Sequence, residues 1–182
     1  MKESILDATT KIPQVVIETD HGSITVEIDT ENAPGTAANF LHYVENGFYD
    51  GGRFHRTVTT ENQPNDEIRI EVAQGGVNPE RDDERNAPIP LERTTLTGLR
   101  HLDGTISMAR FAPDSAVSDF FFCIGDQPEL DFGGKRNPDG QGFAAFGRVV
   151  DGMDVVRAIQ RQPHEGQRLT PPVTIRRARI VG

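Results

Sequence analysis

Val15-Val16-Ile17-Glu18-Thr19-Asp20-His21-Gly22-Ser23-Ile24-Thr25-Val26-Glu27-Ile28 is an apolar run, a polar turn and a second apolar run. Ile24, Val26 and Ile28 recur with period two, the period of a strand with one buried face. Asp20-His21-Gly22-Ser23 carries turn chemistry between the runs. The stretch therefore predicts a β-hairpin.

Strand signals dominate the rest of the chain. Arg53 to Val58 reads as a strand with Phe54, Arg56 and Val58 on one face. Ile68, Ile70, Val72 and Gln74 alternate with Arg69, Glu71 and Ala73 in another, which Gly75-Gly76 ends. Thr105 to Ala109, Phe120 to Ile124 and Phe143 to Val150 add three more. Val173 to Val181 is the last, and its apolar phase slips between Ile175 and Ile180, as at a bulge. Helical spacing occurs twice. Ala37, Phe40, Leu41 and Val44 form one stripe between Pro34 and Gly47. Met153, Val156 and Ile159 form a shorter one before Pro163. The polar segments Thr59 to Glu67 and Val77 to Arg93, and the Gly-rich Asp131 to Gly142, read as loops. Many strands and two helices predict a mainly β fold, a closed antiparallel barrel capped at its ends by helices.

At 182 residues the chain suits one domain, with residues 1–13 as an N-terminal extension and 14–182 as the folded unit. Eighteen Gly and 12 Pro agree with a turn-rich fold. A net charge of -9 argues against nucleic-acid or anionic-membrane partners, which call for basic patches. The single cysteine, Cys123, sits in Phe120-Phe121-Phe122-Cys123-Ile124 and reads as a small buried hydrophobe. No stretch is long and apolar enough to span a membrane, and Met1 to Pro13 lack the apolar core of a signal peptide. The chain reads as cytoplasmic, although a processed secreted or periplasmic protein would look the same.

Most chemical signatures are missing. His21, His42, His55, His101 and His164 show no metal-ligand spacing. No serine lies in a nucleophile elbow, and neither Gly75-Gly76 nor Gly133-Gly134 makes a phosphate loop. Neither metal nor cofactor is expected.

Five segments in order resemble the cyclophilin family of peptidyl-prolyl cis-trans isomerases. They are Ala33-Pro34-Gly35-Thr36-Ala37-Ala38-Asn39-Phe40, Phe54-His55-Arg56, Gln74-Gly75-Gly76, Gly104-Thr105-Ile106-Ser107-Met108-Ala109, and Phe120-Phe121 followed by Phe146-Gly147-Arg148-Val149 and Gly152-Met153. The resemblance implies an eight-stranded barrel with a helix over each open end and a peptide groove on its outer surface. It implies a monomer that acts on proline-containing peptides and on unfolded or folding proteins, with no cofactor. It makes Arg56 the catalytic donor and Gln74 the group that holds the substrate backbone. Val72, Phe121, Leu130 and Ala109 would line the proline pocket, with Arg110 and Phe143 at the substrate-binding edge. His55 is expected to be structural.

Several positions depart from the family pattern. Glu71 and Glu129 stand where large pocket residues are common, Asp119 replaces a glutamine, Arg110 an asparagine and Phe143 a histidine. The loop Thr59 to Glu67 is longer than in compact members. The alternative function is therefore a peptide-binding module of low activity on the same barrel. Glu71, Asp119 and Glu129 near the groove would also favour substrates with Lys or Arg beside the proline.

Overall fold

The hairpin forms as read. β1 (Gln14–Thr19) and β2 (Gly22–Ile28) pair antiparallel from Gln14↔Glu27 to Thr19↔Gly22. This computed structural model describes residues 12–181. Residues 1–11 of the expected extension lie outside the described residues. Pro13, assigned to that extension, already joins the sheet, because its carbonyl accepts from the Ile28 N–H at 2.9 Å.

The helix α1 (Pro34–Glu45) follows β2, then β3 (Arg53–Val58) and β4 (Val72–Gly76). After a four-residue helix α2 (Thr94–Thr97) come β5 (Thr105–Met108), β6 (Phe120–Cys123), β7 (Ala145–Asp151) and α3 (Met153–Gln160). β8 (His164–Glu165) and β9 (Arg168–Val181) complete the chain. The sheet runs β1-β2-β7-β5-β6-β4-β3-β9, and β1 pairs with β9 to close an eight-stranded antiparallel barrel. β8 is a short flap hydrogen-bonded to the start of β9. Closure leaves the barrel strands no free edge.

Inward residues of every strand meet the apolar faces of two helices in one core. Ile17, Ile24, Phe54, Phe120, Phe122 and Phe146 pack with Ala37, Phe40 and Tyr43 of α1, and with Val156 and Ile159 of α3. A second apolar cluster lies outside the barrel wall: Val58, Ile70, Val72, Phe121, Cys123 and Leu130, with Ala109 and Phe143 against it. Strand alternation makes both, because Phe120 and Phe122 point in while Phe121 and Cys123 point out.

Three local expectations change. Phe54 and Arg56 do not share a face: the β3–β4 register slips between them, so that Phe54 opposes Gly75 and Arg56 opposes Gln74. The extra residue, His55, lets Phe54 enter the core and still sends Arg56 outward. Ile68 to Glu71 do not form ladder, and β4 begins at Val72. There the Gln63 side chain acts in place of a strand, since its Nε2 donates to the Ile70 carbonyl at 2.7 Å and its Oε1 accepts the Ile70 N–H at 3.1 Å. Phe143 precedes β7 rather than opening it. Within the expected loop Val77 to Arg93, Pro79–Glu84 form a 3₁₀ helix. The expected bulge in the last strand is present: Glu18 opposes Arg177 and Thr19 opposes Ile175, which leaves Arg176 unpaired in that register.

Candidate active site

The outer cluster floors an open groove of about 810 Å³. All eight residues expected at the site line it: Arg56, Val72, Gln74, Ala109, Arg110, Phe121, Leu130 and Phe143. β3 and β4 bring Arg56 opposite Gln74, and β6 brings Phe121 opposite Gln74 on its other side. A single strand, β4, therefore lies between Phe121 and the Arg56 cation.

Arg56 is held by three of its five N–H groups. Nη1 donates to Gln74 Oε1 at 2.9 Å, while Nε and Nη2 donate to Gln167 Oε1 at 3.0 and 2.7 Å. Two N–H groups remain for a ligand. Burial, and next the nearby Arg136 charge, pull the guanidinium below its ordinary value, with Asp66 opposing. It stays protonated at any working pH, and reduced solvation strengthens its field.

Gln74 is fixed at both ends of its amide, since its Nε2 donates to Asp119 Oδ2 at 3.1 Å. His55 Nε2 lies 3.1 Å from the same oxygen. Half-buried on the extra residue of β3, His55 thus holds a carboxylate that in turn holds Gln74. A Cβ at Gly76 would collide with the Asp119 carboxylate, so glycine there lets that carboxylate keep its place.

The pocket aromatics are braced from behind. Phe143 meets Phe121 edge-on, with centroids 5.3 Å apart. His101 stacks beneath Phe121, its Nδ1 2.7 Å from Asp131 Oδ1 and its Nε2 2.9 Å from Ser107 Oγ. Burial alone would raise the Asp131 carboxyl, but hydrogen bonds from the His101 ring and backbone, with the His101 charge, hold it below the usual carboxylate range. Arg110 is not a free cation at the edge. Its guanidinium is nearly fully buried, pairs with Asp139 at 3.0 Å, donates to the Gly142 carbonyl and lies 5.0 Å over the Phe143 ring. The Arg110 hydrogen bond in turn keeps the Asp139 carboxyl below its ordinary value.

Glu71 and Glu129 lie outside this groove. Glu71 takes a hydrogen bond from Gln160 of α3 at 3.2 Å, and Ile70 supplies the apolar surface beside Val72. Glu129 lies on the turn Pro128–Leu130 and faces a separate hollow beside α2.

Asp119 lines the groove as expected, whereas sequence reading missed Gln167, Arg136 and Asn137. Arg136 enters from the Asp131 to Gly142 loop and donates to Gln63 Oε1 and the Ile68 carbonyl. Asn137 lines the groove with its Nδ2 buried and without a hydrogen-bond partner among the described residues. Only the β3–β9 register, which sets Arg56 opposite Arg168, shows that Gln167 reaches Arg56. No spacing in the sequence carries that information.

Residues 14–180 match the family model "Cyclophilin type peptidyl-prolyl cis-trans isomerase/CLD". Similar curated proteins include peptidyl-prolyl cis-trans isomerase cyp18 of Streptomyces antibioticus, 35% identical over 174 residues, 92% of this chain and 98% of that protein. Peptidyl-prolyl cis-trans isomerase A of Dickeya dadantii is 34% identical over 180 residues, 96% of this chain and 87% of its own. Among solved structures, a cyclophilin type peptidyl-prolyl cis-trans isomerase of Cryptosporidium parvum superposes with a TM-score of 0.74 at 20% identity. The superposition covers 94% of this chain and 99% of that one. Match over nearly the whole barrel, together with a groove that joins an arginine, a glutamine and an apolar pocket, leads to one conclusion: the chain belongs to the cyclophilin-type peptidyl-prolyl cis-trans isomerase family.

Proposed function

We propose that this isomerase speeds rotation about X–Pro bonds by aiming Arg56 at the prolyl nitrogen, with the proline ring in the pocket of Val72, Phe121, Leu130 and Ile70. The uncatalysed barrier is about 18–20 kcal/mol, because the nitrogen lone pair is shared with the carbonyl. At the twisted transition state the lone pair is localised on nitrogen. A donor fixed there binds the transition state more strongly than either ground state, which is what raises the rate. The observation that carries this reading is the clamp on Arg56: Gln167 Oε1 holds the Nε and Nη2 edge of the guanidinium, Gln74 Oε1 holds Nη1, and two N–H groups are left for a ligand. Gln74 and Asn137 have the chemistry to hold substrate carbonyls, Gln74 by its position and Asn137 by its unpartnered amide. Arg110, by contrast, shapes the edge through Phe143 and Asp139 rather than presenting its charge. No proton moves, no covalent bond forms, and no cofactor is called for.

This reading extends to a monomer that works on proline-containing chains without nucleic-acid or membrane partners, which the acidic net charge supports. No described helix is long and apolar enough to cross a membrane. The weak, merely binding alternative loses its main support, because Glu71 and Glu129 do not enter the groove. The experiment is a protease-free peptide isomerisation assay. Arg56→Ala lowers kcat/KM by about a hundredfold or more, the scale for losing one preorganised charged donor. A folded variant within a few-fold of the parent would refute the assignment.

A further inference from the structure

We infer that the hollow on the β9 side of Arg56 is a subsite for an acidic residue flanking the proline, with Arg53 and Arg168 as its cations. This rests on the reading of Arg56 as the prolyl-nitrogen donor. The hollow measures about 860 Å³ and shares Arg56, His55, Arg85 and Asp119 with the proline groove, so a chain laid across Arg56 in one continues into the other. Four arginines line it against two carboxylates, Asp82 and Asp119, in a chain whose net charge is -9.

The state of each charge decides what the hollow offers. Arg56 is occupied by Gln74 and Gln167. Arg85 lies 3.7 Å from Asp82 and donates to Ser118. Asp119 is taken up by His55 and Gln74. Arg53 and Arg168 make neither an ion pair nor a side-chain hydrogen bond among the described residues, and both are exposed. Glu165, opposite Arg168 in the β8–β9 ladder, forms no ion pair with it.

The strands explain the clustering. β9 places Arg168 directly opposite Arg56, where two like charges repel unless an anion lies between or beside them. Pro171 and Pro172 supply apolar surface for the stem of an incoming side chain. A carboxylate fits these unpaired cations and a cationic side chain does not. The preference expected from Glu71, Asp119 and Glu129 is thereby inverted, since two of them lie elsewhere and the third is already hydrogen-bonded.

The test uses proline tetrapeptides carrying Glu, Gln or Lys at one position at a time, on either side of the proline. Rates are read at about 20 mM and about 500 mM salt, on either side of strong screening. At low salt, Glu at one position or more is preferred over Lys by about three- to tenfold in kcat/KM, carried by KM, and the preference falls below about twofold at high salt. Arg53→Gln with Arg168→Gln removes the preference and leaves the Gln peptide within about twofold of the parent, while Arg168→Glu alone turns it toward Lys. No Glu preference at any position, or one that survives the double variant, overturns the subsite. The donor reading fails separately: Arg56→Ala with an undiminished rate on the Gln peptide would sink it, whatever the Glu and Lys peptides show.

Discussion

At the scale of single residues, the site works by orientation. Gln167 touches Arg56 but is not placed to touch the prolyl ring, so it is a positioning residue. Gln167→Ala frees two of the three held N–H groups, and kcat falls about three- to tenfold with KM little changed; Gln167→Glu, which restores an acceptor, recovers most of it. A change confined to thermal stability, with kcat intact, would show the contact to be structural. Cys123 gives a second check. Burial pushes its thiol well above its usual range. A disulfide reagent at neutral pH therefore leaves the native protein unmodified and labels it on unfolding. Arg56, Gln74 and Phe121 were legible because each sits in a contiguous motif, and Leu130 because the resemblance runs on between those motifs. Gln167 and the charge-paired state of Arg110 were not, because each depends on a partner far along the chain, Arg56 for Gln167 and Asp139 for Arg110.

At the scale of elements, strands were legible where alternation alone made them. Alternation misled at β3, where the extra His55 lets a core phenylalanine and a groove arginine stand two residues apart. It misled again at Ile68 to Glu71, where a side chain takes over the ladder. Gln63 is almost fully buried, and its amide serves Thr59, Ile70 and Arg136 at once. The loop Thr59 to Glu67 is thus pinned to the groove wall rather than trailing in solvent. Gln63→Ala strands the Ile70 N–H and carbonyl and costs about 1–3 kcal/mol in urea unfolding, with KM raised because Ile70 and Arg136 lose their support. An unchanged midpoint together with an unchanged KM would mean that the loop is passive.

At the scale of the whole molecule, acid is the sharpest probe. Asp131 is held below its ordinary value by His101 in the fold and returns to about 3.9 when the chain unfolds. A depressed carboxyl contributes stability that is present above the unfolded value and is lost as pH falls through the folded one. Stability therefore drops below about pH 4. Asp131→Asn lowers stability at neutral pH and flattens that acid limb, as measured by thermal melts from pH 7 to pH 3. An acid limb of undiminished slope in the variant would place the titrating groups elsewhere.

The pairing of β1 with β9 sets Gln14 beside Val181, so the first and last strands meet at neighbouring ends. In topological terms the backbone is nearly a ring, and the point at which it is cut is incidental to the barrel. A short linker of Gly and Ser could join residue 181 to residue 14, and new termini could be opened at exposed Thr30 to Asn32, which line neither the groove nor the hollow beside Arg56. Such a permutant keeps every strand neighbour. It folds to the same barrel and turns over proline peptides at close to the parent rate, while the order in which its strands leave the ribosome is changed.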